Sequence, residues 1–564
     1  MIGADDPFLP VTASISGCTD VEKSFHTMMK WIEECLKTHR MLCSAIDRPS
    51  DLPLRLIEVN LPNSQNVRLV HKDQEKGYYA CLSHCWGVEQ PLKSTLKPDT
   101  LSKHQQGIPW EDLPKTFQDA ILVTRMIGLP YLWIDSLCIL QDDLEDWQNQ
   151  SAQMGDIYKN CMICIAGSAS SGPHQGLFRE ANSTSIDRSL PNVAGLNGLD
   201  KIRSRKPLRH DTHNLPLLRR SWVFQERILS PRYLHFADQE LIWECMECMT
   251  CECGRLSLND RSRFGWLEPK QHLHATALQY MNGSGSISSV WQAAVRDYSQ
   301  MFLTKPSDIF PAISGIAKSI QAATGWEYIA GIWKETIICD LAWRAVEPQL
   351  SRRCAIWRAP TFSWASLSRH EQEGLGTAGS PVTYDLISVL AAGLFPTRKS
   401  SIKSKLYATI VEYKYVLASA HVTGGLESGH IIISGTIVQA NLHCQMPERV
   451  WQIAPLAKEP LSSSLVHLDF NQDSSDCSVR DGDEVFCLKL LGGSTVPEHR
   501  NGEKRLYLVL KKIDADVWEP KAFEGSSAFE RIGILRDAYG EEETKLEEAS
   551  TESSIQRNIS VKII

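Results

Sequence analysis

Three short stretches gather side chains that could do chemistry. In YYACLSHCWG (78–87) a strand through Ala80 and Leu82 ends near Ser83, and His84, Cys85, Trp86 and Gly87 form the turn behind it. In open parallel sheets, ligands bind outside the carboxyl ends of strands. Trp86 could wall such a pocket or stack on a planar ring, and Gly87 allows an unusual backbone angle or a close ligand approach. The plainer alternative makes Ser83 a turn cap and Trp86 a core residue. In LWIDSLCILQDD (132–143) Asp135 interrupts an apolar run. An isolated buried carboxylate is too costly, so Asp135 either faces a cleft at a strand end or meets a cation. Gln141, Asp142 and Asp143 follow at a strand-to-helix turn, where Asp142 or Asp143 is a natural helix cap. In RRSWVFQERILSPRYLHF (219–236) Arg220, Gln225, Glu226, Arg227 and Arg232 surround an apolar face of Trp222, Phe224 and Leu229. Arg220 or Arg227 pairs internally with Asp135 or Glu226, or binds an anionic ligand through its planar fork.

Other chemistries are excluded or set aside. Ser83, His84 and Cys85 are adjacent, so on a strand they point to alternate faces and form no nucleophile–base dyad. No Gly-x-Ser-x-Gly elbow surrounds Ser83. The chain has no glycine-rich dinucleotide fingerprint, which argues against hydride transfer. Two cysteine-rich stretches raise the question of zinc. Cys35, His39 and Cys43 are spaced i, i+4, i+8, and Cys245, Cys248, Cys251 and Cys253 crowd WECMECMTCECG. The second group lacks two well-separated pairs, and the two could share an ion only if the N-terminal helix packs there. The expectation is buried free thiols, with no metal and no resident cofactor.

These residues need a scaffold. A helix over 24–43 forms a preamble, ended by Pro49 and Pro53. Strands are expected at 54–59, 78–84 and 162–169, a buried strand and its exit at 131–140, and helices at 113–128 and 143–161. Alternating strand and helix predicts a parallel α/β sheet. Residues 171–215 are rich in Ser, Asn, Pro and Gly and read as a long excursion or lid; 270–345 read as mainly helical. From about 400 the pattern turns to alternating apolar and polar residues, which predicts an antiparallel β module. The expected divisions are a preamble (1–50), an α/β domain (51–255, core motifs 79–232), a mainly helical extension (256–395), a β-rich module (400–540) and an acidic tail (541–564).

Composition bounds the setting. The chain has 564 residues, 43% hydrophobic and 22% charged, with a formal net charge of -8. That is ordinary for a globular protein and leaves no basic footprint for nucleic acid. The 17 cysteines are odd in number and irregularly spaced, which fits reduced thiols better than a disulfide-stapled secreted domain. The N-terminus lacks a basic region followed by an apolar stretch, and no apolar run is long enough to cross a bilayer. A cytoplasmic setting without membrane contact is the expectation.

In their order and spacing the stretches resemble the fungal heterokaryon incompatibility (HET) domain. The resemblance rests on Tyr79, Leu82, Ser83, Trp86 and Gly87; on Leu113, Pro114 and Thr116; on Trp133, Ile134, Asp135, Leu137, Cys138, Ile139 and Gln141; and on Trp222, Gln225, Glu226, Leu229 and Arg232. Leu140 departs from the family, where many members carry Asn. The resemblance implies a role in fungal non-self recognition and regulated cell death, with a protein partner or self-association. It also implies a doubly wound fold, mostly parallel and similar to the Toll/interleukin-receptor (TIR) domain, some members of which cleave NAD with a glutamate. On that reading Glu226 and Asp135, with Glu145 as a further carboxylate, are the catalytic candidates. Ser83, Trp86, Gly87, Gln141, Arg220 and Arg227 would then bind the nucleotide. The alternative is a non-catalytic signalling or interaction module whose polar residues are structural, since fold alone does not carry function.

Overall fold

The computed structural model describes residues 18–19, 21–43, 48–62, 64–87, 95–180, 188–189, 203–204, 215–254, 256, 269–282, 286–354, 356–369, 377–378, 382–384, 404–418, 425–445, 450–456, 458, 460–461, 465–470, 479–493, 504–513, 528–537 and 546–564. The chain is mixed α/β and divides into two compact units, Met1–Ala275 and Thr276–Ile564. No described helix is long and apolar enough to cross a membrane.

The first unit is built on an eight-stranded sheet. Its strands are β1 (Arg55–Glu58), β2 (Arg68–His71), β3 (Ala80–Ser83), β4 (Tyr131–Trp133), β5 (Ile163–Ala166), β6 (Arg232–Phe236), β7 (Leu241–Cys245) and β8 (Met249–Cys251), in the order β8-β7-β6-β5-β3-β4-β1-β2. The four central strands, β6-β5-β3-β4, are parallel. Every residue of β3 and β5 is buried, as expected of parallel strands covered on both faces. The outer pairs β8–β7, β7–β6, β4–β1 and β1–β2 are antiparallel. The sheet is therefore mixed rather than mostly parallel. The reason is local: β6, β7 and β8 are joined by short hairpin connections, which can only pair antiparallel.

Within the parallel core the spatial order is β4-β3-β5-β6. The second strand lies on one side of the first, and the third and fourth lie on the other. The winding direction thus reverses between β3 and β5, and a crevice opens beyond the carboxyl ends at such a switch point.

Among the described helices that serve this sheet are α1 (Val21–Thr38), α2 (Lys115–Ile127), α3 (Asp135–Cys138), α4 (Leu144–Asn160) and α5 (Ser221–Leu229). Pro114 precedes α2, and Gly128 closes it at φ +83°, donating its amide to the carbonyls of Arg125 and Thr124, the left-handed cap that glycine permits. Of the buried strand and exit expected at 131–140, the strand is Tyr131–Trp133. Asp135 opens the short α3, its carboxylate accepting the Ser136 amide at 2.7 Å, an arrangement the positive end of a helix favours. Asp143 caps α4 by accepting the Asp146 amide at 3.0 Å, while Asp142 pairs with Lys97 at 2.8 Å. The excursion expected over 171–215 lies mostly outside the described residues.

The second unit contains α7 (Ile287–Tyr298) and α8 (Ser314–Thr324), beyond α6 (Pro269–Met281). A nine-stranded sheet follows, made of β9 (Ser404–Leu406), β10 (Thr409–Leu417), β11 (Leu426–Gln445), β12 (Val450–Pro455), β13 (Leu465–Leu468), β14 (Glu484–Gly493), β15 (Lys504–Ile513), β16 (Ala528–Asp537) and β17 (Ile555–Ile563). Its path runs β9-β14-β15-β16-β13-β12-β11-β10, and β14 also pairs with β11, so the ladder closes on itself. The β16–β17 pair is parallel and the other described pairs of this sheet are antiparallel. The segment read as an acidic tail carries β17, with Val561 and Ile563 buried. The acidic run 541–548 masked the apolar alternation after it. Inside this unit Arg531 is wholly buried. Its guanidinium pairs with Asp469 at 2.8 Å, donates to the Leu341 carbonyl at 2.7 Å and stacks 3.3 Å from the Trp343 ring centre.

Candidate functional site

The carboxyl end of β3 collects most of the expected residues. Ser83, its last residue, donates its hydroxyl to Glu226 Oε2 at 2.5 Å and accepts the Tyr233 hydroxyl at 2.9 Å. Glu226 comes from α5 and Tyr233 from β6. Ser83 is 0% exposed and Glu226 5%. Burial drives the Glu226 carboxyl up to about 7. The Ser83 hydrogen bond opposes that rise, the Asp135 charge adds to it, and Arg220 and the Tyr158 hydroxyl oppose it further.

A second layer lies nearer solvent. Trp86, half-buried, donates its indole N–H to Asp135 Oδ2 at 2.7 Å. The Asp135 side chain keeps 19% exposure. Gly87 is exposed at φ +78°, and a Cβ there would stand 3.0 Å from Pro173 Cδ, so the turn beneath Trp86 requires glycine. Arg220 donates to the His84 carbonyl at 2.8 Å. The His84 ring is buried edge-on against Phe117, with Nδ1 3.8 Å from Asp135. Burial pushes its pKa down to about 4, with Asp135 opposing and Arg220 assisting. His84 is therefore neutral at pH 7, and its approach to Asp135 is no ion pair there. Gln141 donates to the carbonyls of Asp135 at 3.2 Å and Ile139 at 3.0 Å, bracing α3 and so the position of Asp135.

The structure thus brings Ser83, Trp86, Asp135, Arg220 and Glu226 to one sheet edge, with Gly87 and Gln141 holding the backbone around them. Arg227 goes elsewhere. It forms a bidentate pair with the fully buried Glu244, Nε to Oε2 at 2.7 Å and Nη2 to Oε1 at 3.2 Å, and His235 Nε2 lies 3.3 Å from the same carboxylate. Successive residues of a helix point about 100° apart, so Glu226 and Arg227 serve different clusters. The nucleotide-binding role expected for Arg227 is replaced by this ion pair, which holds Glu244 down to about 2 against its burial. Glu145 sits exposed on the first turn of α4.

Sequence reasoning gave no site role to Tyr158, noted only as part of the helix that fits the family pattern, or to Tyr233. Tyr158 donates to the Leu82 carbonyl at 3.1 Å. The signal for Tyr233 was present: in the buried strand RYLHF, Tyr233 and His235 alternate onto one face. His235 there meets Ser168 at 2.9 Å through Nδ1.

A parallel core with a winding reversal, and two carboxylates in unlike environments beyond it, define an α/β domain with a polar cluster at its switch point. The family model that matches the chain, Heterokaryon incompatibility protein (HET), spans residues 79–226, running from β3 to Glu226 itself. Residues 79–226 are thus a heterokaryon incompatibility (HET) domain, about a quarter of the chain. No curated protein and no solved structure matches it.

Proposed function

We propose that the HET domain hydrolyses the glycosidic bond of NAD, and that this activity serves fungal non-self recognition and regulated cell death in the cytoplasm. The trigger would be a protein partner or self-association. The observation that carries the reading is a pair of carboxylates at the switch point in opposed environments: Glu226 buried with its pKa raised to about 7, and Asp135 nearer solvent, held by Trp86 and the Ser136 amide. Divergent environments are how one site supplies both a proton-transfer group and a fixed charge. The order β4-β3-β5-β6 fits a doubly wound, TIR-like core, an analogy of fold alone.

In this mechanism the bond between the ribose C1′ and the nicotinamide nitrogen breaks, and its electron pair leaves with neutral nicotinamide. The Asp135 carboxylate stabilises the oxocarbenium-like centre. A water oxygen bonds C1′, and its proton passes to ionised Glu226. Trp86 stacks on a ring of the substrate, and Arg220 faces the pyrophosphate. Loss of NAD is measured with the purified full chain. Glu226→Gln is expected to lower turnover by about 10²-fold or more, with Asp135→Asn also impaired. No turnover by the wild-type chain under any oligomerising condition sinks the enzyme reading.

A second reading has its own support. Ser83 and Glu226 are buried and mutually hydrogen-bonded, the state expected of a structural network in a signalling module. On that reading Glu226→Gln leaves cellular NAD unchanged while still altering viability of an expressing fungal host.

A further inference from the structure

The N-terminal helix docks where the second cysteine group lies. Cys35 near the end of α1, His39 just beyond it, Cys43 four residues later, and Cys245 at the end of β7 bring their ligand atoms all within 4.8 Å of one another. Cys245 Sγ stands 3.3 Å from His39 Nδ1. The ligand atoms of a tetrahedral zinc ion, at about 2.3 Å for sulfur and 2.0–2.1 Å for nitrogen, are separated by about 3.5–3.8 Å. We propose that Cys35, His39, Cys43 and Cys245 hold a structural zinc ion that staples α1 to the β7–β8 hairpin. Packing of the preamble against the hairpin was the condition on which the two cysteine groups could share an ion.

The surroundings are built for such an ion. Cys245-x-x-Cys248 forms a tight turn: the Cys245 amide donates to the Cys248 carbonyl at 2.8 Å, and the Cys248 amide donates back to Cys245 Sγ at 3.3 Å. Amide–sulfur bonds of this kind orient a thiolate ligand from the outer shell. Gln271 fastens the turn from outside by donating to the Cys245 carbonyl at 2.6 Å. Glu247 Oε1 accepts the amides of Leu42 and Cys43 at 2.7 and 3.2 Å, which fixes the chain that presents Cys43. Three thiolates around a divalent ion leave one net negative charge. Buried Arg232 donates Nε–H to Cys35 Sγ at 3.3 Å. The ammonium of Lys270, 0% exposed, has no hydrogen-bond partner among the described residues and feels the charge of Cys245. A cationic shell of this sort stabilises a thiolate–metal centre and does little for neutral thiols. Four ligands with no open position define a structural rather than a catalytic zinc. Cys248, 3.6 Å from Cys245 through sulfur, flanks the set. The Cys251–Cys253 pair, 3.3 Å apart beside Glu240, is a separate group outside it.

The test is metal analysis of the purified full chain, with cobalt(II) exchange as an independent readout. The expected result is about one zinc per chain, lost in Cys35→Ser and Cys245→Ser and retained in Cys251→Ser. The cobalt-loaded chain is expected to show intense tetrahedral d–d bands with sulfur-to-cobalt charge transfer. His39→Cys is expected to keep the ion and intensify the charge-transfer bands, which a residue outside the coordination sphere would not do. A wild-type chain that carries no zinc and takes up cobalt without these bands overturns the assignment, whether or not any variant folds. So do zinc retained in both Cys35→Ser and Cys245→Ser, zinc lost only in Cys251→Ser, and a Cys245–Cys248 disulfide in the chain purified without reductant.

Discussion

Glu226→Gln gives the most direct test of the electrostatics at the switch point. Folding moves the Glu226 carboxyl from an ordinary 4.5 to about 7. The folded state therefore holds a proton there that the unfolded chain releases between those values. A raised carboxyl pKa is a destabilising linkage: stability falls as pH rises through the interval between about 4.5 and 7, and the full cost is present above it. Each pKa unit corresponds to about 1.4 kcal/mol, so the ionised side chain costs roughly 3 kcal/mol above pH 7 and under about 1 kcal/mol at pH 5. Glutamine keeps the shape and an oxygen to accept the Ser83 hydroxyl, but carries no charge to desolvate. Glu226→Gln is thus expected to stabilise the chain at pH 8 by up to about 3 kcal/mol. That is several degrees in the thermal midpoint of a unit this size, and the difference should shrink toward pH 5. Scanning calorimetry of the full chain at pH 5, 6, 7 and 8 reads it. In an Asp135→Asn background the difference still begins near pH 4.5 but is smaller and levels off at a lower pH, because the Asp135 charge helps to raise Glu226 in the folded state. A Glu226→Gln variant less stable than wild type at pH 8, by an amount independent of pH, would refute the reasoning: the carboxylate would then be a net-stabilising member of its network.

Arg227→Met strands Glu244 as a buried charge and is expected to cost about 3–5 kcal/mol at pH 7. Because Glu244 is held down to about 2, the stabilisation this pair gives is present above about 4.5 and is lost as pH falls toward 2. Urea unfolding at pH 7 and pH 3 should therefore show the penalty shrinking at the lower pH. Arg531→Met removes the cation from Asp469 and from the Trp343 ring in the second unit, with a similar loss of about 3–5 kcal/mol seen as an earlier urea midpoint. Arg531→Met with Asp469→Asn should recover a measurable part of it.

How far the molecule could be read from its residues follows the range of the interactions involved. Elements set by local periodicity and caps were legible: α2 ends at Gly128 and α4 starts behind Asp143, because a left-handed glycine and a capping carboxylate act within one turn. The strand and exit expected at 131–140 are there, but the exit takes the form of a helix start at Asp135, hidden inside an apolar run. The antiparallel edges of the sheet were not legible, since nothing in Arg55–Glu58 distinguishes a strand that pairs parallel from one that does not. The convergence of Ser83, Asp135 and Glu226 was foreseen only as a possibility. Whether Arg227 turned to Glu226, Asp135 or a ligand depended on a partner not considered, Glu244, brought round by the β6–β7 hairpin. The grouping of Cys35, His39 and Cys43 with Cys245 needed contacts across some two hundred residues, which no spacing rule reaches.

The two polar clusters of the first unit share one element. On α5, Glu226 faces Ser83 at the switch point, and the next residue, Arg227, grips Glu244. Glu244 stands next in sequence to Cys245 and feels the charge of Lys270, which in turn feels Cys245. Nine residues is a short helix, and helices of this length depend on packing rather than propensity. Its rotation is fixed by what its two sides hold. A buried ion pair is a poor source of net stability but a costly one to break, which makes the Arg227–Glu244 pair suited to setting the angle at which Glu226 meets Ser83. If zinc fixes Cys245, it also fixes the end of β7 that carries Glu244, so loss of the ion should reach the switch point through α5 without any metal ligand touching it.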